Sequence, residues 1–412
     1  MHVWLLHVGE FLPIDGDFRP MRYSLLGDAL MRRGHTVTRW APTFLHALKR
    51  LRFTESTTVV HSPQLTFELL HAPPYDSNTS LKRLRFSQVL AREFRARCGQ
   101  VRRPDIIVAA IPAPELAQAA VEFGRREGIP VVVDIRDLWP DIYLDALPRW
   151  LRLPGRLALW PFHRVNRQAL SRASAVVAVS PSYLAWGLRY AGRSEGIGDR
   201  VFPLGYIPYD LTEQERKQQL EHLRRLGFDE RLWTVCFVGS FEATYDLDTV
   251  IHAARSLHSK GTPVQFVLCG TGRKEQHLRE LSRGLDCVVF AGWASAPLLA
   301  AVMERSKAGL CAYVDKAPQS LPNKPFEYAS FGLPLISSLQ GDLEELISGA
   351  KIGLPYAASD AASLEAAISA LYRDPECWRV MSSNARSLFE RDYSGHRVYG
   401  SFVAHLEAMT GG

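Results

Sequence analysis

The chain has 412 residues with 47% hydrophobic and 22% charged residues, 29 Gly, 25 Pro and a formal net charge of +6. That length outgrows one ordinary hydrophobic core, so two domains are expected, and the balance excludes wholesale disorder, a collagen-like repeat and a coiled coil. No stretch approaches the roughly 20 uninterrupted apolar residues of a membrane span, and Glu10, Asp15 and Asp17 follow the apolar start without the small-residue cleavage site of a secretory signal.

In chain order, residues 3–8 (VWLLHV) predict a first central strand, followed by a Gly-, Asp- and Pro-rich loop. Residues 21–33 predict a helix ended by Gly34, and 36–40 a second strand. Further strands are expected at 106–109, 131–135 and 175–179, with helices at 115–127 and 157–172. Apolar strands alternating with helices imply a parallel sheet covered on both faces. The pattern restarts after the turn-rich joint at 205–210 (GYIPYD), with a charged helix at 212–226. Strands follow at 233–238, 264–268, 288–290, 309–313 and 335–337, and a helix at 248–259. The expectation is an α/β chain of two doubly wound, Rossmann-like domains, 1–207 and 208–386, with a last helix at 387–412 returning to the first. Such sheets bind ligands at the carboxyl ends of their strands, which makes an interdomain cleft the expected site.

The charge is uneven. Residues 1–200 hold 28 Lys and Arg, 26 of them Arg, against 18 Asp and Glu, while the remaining 212 carry a net −4. An Arg-rich half suits phosphates or an anionic bilayer. Nothing resembles a recognition helix, a paired-Cys finger or an aromatic nucleic-acid module, so no nucleic acid is expected. The six cysteines form no CxxC pair, and a reducing cytoplasm is the expected setting.

Gly239 and Ser240 follow one apolar strand and Gly270 and Gly272 another, where backbone can approach a ligand and bare N–H groups can meet phosphate. Neither loop is a Walker loop or a dinucleotide fingerprint. Arg273 and Lys274 adjoin the second. In QSLPNKPFEYASFG (319–332), Pro322 and Pro325 bracket Asn323 and Lys324, which predicts extended chain until a helix starts near Phe326. Glu327 then falls in the first turn, either as a capping carboxylate or as an acceptor of two sugar hydroxyls. Lys324 is either a surface cation or a diphosphate partner. Ser320 is a further hydroxyl candidate. Asp15-x-Asp17 and Asp246-x-Asp248 fit a metal-binding DxD, but that spacing arises easily by chance and Asp246 or Asp248 serves equally as a helix cap; no metal is assigned.

The order FVGSF, FVLCGTG, VVFAGW with Trp293, and SLPNKPFEYASFGLPLISS, preceded by VVVDIRDLWPD and VVAVSPSYLAWGL, resembles family 4 retaining glycosyltransferases of the GT-B fold over essentially the whole chain. VDIRDLWPD combined with LPNKPFEY is similar to bacterial enzymes building O-antigen, capsular and exopolysaccharide. The resemblance implies two domains facing across a cleft and transfer from a nucleotide-sugar donor, UDP-linked by preference, with no required cofactor. It implies that Glu327 binds the donor ribose as the second member of an E-x7-E pair, whose first position holds Gln319. Ser240 and Tyr245 stand near where many relatives carry a diphosphate-binding Arg and Lys, so Lys324 is expected to replace part of that charge, with Arg273 as helper.

From the first domain, the loop with Gly16, Arg19 and Arg22 is expected to face the donor diphosphate, although Arg19 and Arg22 serve equally as salt-bridge partners. Asp137 is the preferred acceptor-side carboxylate and Arg136 its phosphate or carboxylate partner, a structural Arg–Asp pair being the alternative. His7 adjoins this loop. Trp150, Trp160 and Phe162 among arginines suit an anionic membrane edge. Hence a polyprenyl-diphosphate-linked sugar acceptor is expected, with peripheral attachment at the inner face of the cytoplasmic membrane. A soluble acceptor, a nucleotide-sugar epimerase and a non-catalytic nucleotide-sugar-binding protein are the competing readings.

Overall fold

The apolar runs become buried strands. The computed structural model describes residues 1–16, 20–46, 48–75, 81–145 and 147–411. The chain divides into two compact units, Met1–Pro203 with Val398–Gly412, and Leu204–Arg397. The strands of the first are β1 (His2–Leu6), β2 (Thr36–Pro42), β3 (Phe44–Leu45), β4 (Arg50–Leu51), β5 (Thr57–Ser62), β6 (Leu65–Leu70), β7 (Ile106–Ile111), β8 (Val131–Ile135), β9 (Ala175–Ala178) and β10 (Arg200–Val201). Eight form one sheet in the order β10-β9-β8-β7-β1-β2-β6-β5, while β3 and β4 pair separately. β1, β7 and β8 are buried along their whole length, as strands covered on both faces must be.

The second unit has β11 (Trp233–Val238), β12 (Val264–Cys269), β13 (Val288–Gly292), β14 (Ala308–Cys311), β15 (Leu335–Ser337) and β16 (Gly353–Pro355). They pair in parallel in the order β13-β12-β11-β14-β15-β16. Strand order reverses between β1 and β7 in one sheet and between β11 and β14 in the other. At such switch points the loops diverge to opposite faces and leave a crevice at the carboxyl ends. The last helix, Gly395–Met409, closes the first unit: Phe402 stacks on Phe202 with centroids 4.2 Å apart, and Glu407 accepts from Arg33 and His35, each at 2.7 Å.

Several expectations are corrected. The first sheet is mixed, because β5 runs antiparallel to β6; its half-exposed TTVVHS alternation suits an edge strand. The first strand ends at Leu6 rather than residue 8. The stretch 157–172 is two helices, Arg152–Ala158 and Trp160–Arg172, with Pro161 restarting the ladder in the first turn of the second. The helix expected from Phe326 begins at Asn323, after Pro322. Pro325 is tolerated there because first-turn amides have no intrahelical acceptor to lose. Glu327 consequently stands in the second turn.

Candidate functional site

In the second unit the site grows from the close approach of two strand-end loops. A Cβ added at Gly270 would lie 1.8 Å from the carbonyl oxygen of Gly239, and one at Gly239 would lie 2.7 Å from Nζ of Lys324. These glycines therefore let the loops after β11 and β12 touch and leave room for an ammonium. Their own N–H groups donate to Cys269 O (2.9 Å) and Gly292 O (2.7 Å). The expectation of bare amides at these two positions is thus corrected. Gly272 packs in the same way against Phe241 backbone.

Lys324 is buried in an aromatic cage. Its Nζ stands 3.8 Å from the Tyr245 ring centroid, 5.4 Å from Phe237 and 5.6 Å from Tyr313, and it donates to the Tyr245 hydroxyl. An ammonium that has left water is stabilised there by the ring quadrupoles and the Tyr245 hydroxyl oxygen. Glu327, three residues on, shares the helix face with Lys324 and is also buried. The Tyr328 hydroxyl ties this helix to the sheet, accepting from Val238 N (2.9 Å) and donating to Leu310 O (3.2 Å). Gln319 is half-buried, and its amide oxygen is buried without a hydrogen-bond partner among the described residues. Ser320 donates to Asp342.

The remaining second-unit candidates lie outward. Ser240 and Asn323 are exposed, Trp293 is largely in solvent, and exposed Arg273 is paired with Glu242 at 2.9 Å. Asp246 caps the helix Leu247–Ser259 through Thr249 and binds Ser359 N, while Asp248 pairs with Lys274 and His277. Among the described residues no group of three His, Cys, Asp or Glu is arranged to hold a metal ion.

In the first unit Glu10, four residues beyond β1, organises a buried cluster. Its carboxylate accepts from Tyr23 N (3.0 and 3.2 Å), from Arg136 Nη1 (2.8 Å) and from Arg39 Nη2 (3.5 Å). Arg136 Nη1 also reaches His7 Nε2 at 2.7 Å. Burial, with Arg136, Arg39 and Arg22 nearby, holds the His7 imidazole well below its ordinary value, so it is neutral near pH 7. Arg136 keeps a buried Nε without a partner among the described residues. Of the two readings of Arg22, the structure has the ion pair: Nε and Nη2 bind Asp134 at 2.8 and 2.9 Å, and Nη1 binds Phe202 O and Pro203 O. Asp134, Arg136 and Asp137 accordingly have separate surroundings. Asp15 is held by Arg52 through two bonds of 2.6 Å. Gly16 adopts a φ of +90°, which explains the glycine with no ligand required. Arg19 and Asp17 lie outside the described residues.

Asp137 is half-buried beyond β8. Burial pushes its carboxyl up, against the Leu138 N–H and the charges of Arg83 and Arg136. Glu115, on the first turn after β7, is a buried carboxyl missed from sequence. Burial pushes it up to about 7, against its own backbone N–H and Arg83. Its signal was a lone acid directly after Pro112-Ala-Pro114, in a position usually read as a helix-start carboxylate. The native state holds this proton more tightly than the unfolded chain, whose ordinary value is 4.5. The stability it contributes is therefore complete below about pH 4.5 and is lost as pH rises to about 7, a change on the order of 3 kcal/mol. Glu115→Gln is expected to gain thermal stability relative to the parent as pH rises over that window. A melting-temperature difference that does not vary with pH would contradict this.

Comparison with known proteins adds the family context. The description "Glycosyl transferase 4-like domain" matches residues 22–197, and "Glycosyl transferases group 1" matches residues 233–374. An alpha-D-kanosaminyltransferase of Streptomyces kanamyceticus is 26% identical over 280 residues, 66% of this chain and 68% of that protein. Sucrose-phosphate synthase from Thermosynechococcus elongatus superposes with a TM-score of 0.73 at 19% identity, covering 99% of both chains. The Anabaena protein HepE in complex with UDP gives 0.69 at 15% identity, covering 99% of this chain and 100% of that one. With one glycosyltransferase match on each of two Rossmann-like units in succession, the chain is a GT-B-fold relative of the family 4 glycosyltransferases.

Proposed function

We propose that the protein is a retaining glycosyltransferase that moves a hexose-type sugar, N-acetylated or deoxy, from a UDP-linked donor to a lipid-diphosphate-linked sugar in surface polysaccharide synthesis. The observation that carries the reading is the Lys324–Glu327 pair: a caged ammonium and a buried carboxylate on one helix face at the carboxyl end of the second sheet. In this reading Lys324 receives the donor diphosphate and offsets the charge that grows on it as the glycosidic bond breaks. Glu327 accepts the ribose hydroxyls, and the unpartnered oxygen of Gln319 accepts a further sugar hydroxyl. The departing phosphate oxygen takes the acceptor proton on the same face, which preserves anomeric configuration without a protein nucleophile. Asp137 orients the acceptor hydroxyl, and Arg136, anchored to Glu10, offers its remaining N–H to acceptor phosphate. Positive charge from Lys324 and the helix start makes a metal ion unnecessary in this scheme. The kanosaminyltransferase relative supports sugar transfer as the reaction class.

The test is Glu327→Ala. Loss of both ribose bonds is expected to lower kcat/KM at least about tenfold, as one or two charged hydrogen bonds warrant. Near-parental kcat/KM in a folded variant would count against the assignment.

A further inference from the structure

The short helix Arg152–Ala158 buries none of its residues. One side rests on the body of the first unit: a Cβ at Gly155 would lie 2.8 Å from Leu147 Cδ1 and 3.0 Å from Leu144 Cδ2. Leu153 and Leu157 each stand two residues from Gly155, about 200° around the helix, and so point the opposite way. They are 71% and 72% exposed. Trp150 before them is 76% exposed and Trp160 after them 57%. Four large apolar side chains thus follow one another along one outward ridge, where an ordinary surface scatters them singly. Phe162, grouped with the two tryptophans from sequence, instead turns inward to Trp139, with centroids 5.7 Å apart.

The charge around this ridge selects the occupant. Residues 149–172 contain six arginines and no Asp or Glu. Arg152 and Arg156 are exposed beside the leucines, and the Arg164 guanidinium lies 5.6 Å from the Trp160 ring. We infer that the Trp150–Leu153–Leu157–Trp160 ridge docks the first unit on an anionic lipid bilayer, the leucines entering the acyl boundary and the tryptophans and arginines lying at headgroup level. Tryptophan belongs at that depth because its ring is apolar and its N–H wet, and each arginine near the surface gains from anionic headgroups. No helix of the described residues is long and apolar enough to cross a membrane, so docking here is in-plane. The inference deepens the lipid-linked-acceptor reading by naming the surface that would meet the lipid.

The test is flotation of the full chain at physiological salt with vesicles of phosphatidylglycerol and phosphatidylethanolamine, and with vesicles of phosphatidylcholine alone. The protein is expected to float with the anionic vesicles and far less with the neutral ones. Leu153→Ser with Leu157→Ser is expected to reduce the bound fraction at least about tenfold. Its melting temperature should be unchanged, since neither leucine packs on the body. No flotation of the parent, or equal flotation of the double variant, overturns the inference. A parental dimer that the double variant dissolves, with no flotation, also overturns it and makes the ridge a contact between two copies. Lipid binding is read without nucleotide, so such a failure leaves the donor chemistry standing.

Discussion

Lys324→Ala is expected to lower kcat/KM for glycosyl transfer by roughly a hundredfold to a thousandfold, the loss typical of removing one preorganised donor to a developing oxyanion. The effect should fall mainly on kcat, because charge on the diphosphate grows as the sugar departs. The cage makes the position hard to replace. Nζ stands against the Gly239 backbone, where even a Cβ would come within 2.7 Å, so the broader guanidinium of Lys324→Arg is not accommodated. Lys324→Arg should therefore fail to rescue. Tyr245→Phe keeps the ring 3.8 Å from the ammonium and removes only the hydroxyl, and should cost several-fold. A Lys324→Ala enzyme within tenfold of the parent would remove the ammonium from the chemistry.

Asp134→Ala is expected to be the most destabilising of the substitutions considered. Asp134 and Arg22 are both fully buried and joined by two charge-assisted bonds. Removing the carboxylate leaves a guanidinium in the core with Phe202 O, Pro203 O and the Phe402 ring, 5.4 Å away, but no counter-charge from Asp134. Breaking such a pair on one side costs about 3 to 5 kcal/mol. The unfolding temperature of the first unit should fall by roughly 10 °C. Removing both charges, as Arg22→Met with Asp134→Leu, should recover much of the loss, because the desolvation penalty then disappears from both partners. If Asp134→Ala alone unfolded like the parent, the pair would not hold the helix Arg22–Arg32 to β8.

The strands were readable because parallel strands buried on both faces are continuous apolar runs, as VVVDI and WTVCFV are. The edge strand β5 was not, since a short TTVVHS segment with half its residues exposed resembles a loop. In the site, Lys324 and Glu327 were legible because two prolines and a helix start confine them to one short segment. Their cage was less so: Tyr245 stands 79 residues before Lys324, and only the return of β11 and β14 to adjacent positions joins them. Glu10 looked like one more loop acid, and its anchoring of Arg136 spans 126 residues. Arg22 shows the converse. Its sequence setting in a Gly- and Asp-rich loop admitted a phosphate ligand, and only burial against Asp134 separates that from an ion pair.

The most direct test of the donor site is thermal stabilisation by UDP and by uridine, without added metal, for the parent and Lys324→Ala. A ligand bound only by the native state must raise the melting temperature. The expected result is a larger shift with UDP than with uridine in the parent, and loss of that surplus in Lys324→Ala while the uridine response remains. A parent unmoved by millimolar UDP, or a variant that keeps the full UDP surplus, would contradict the assignment of Lys324 to a nucleotide-sugar diphosphate.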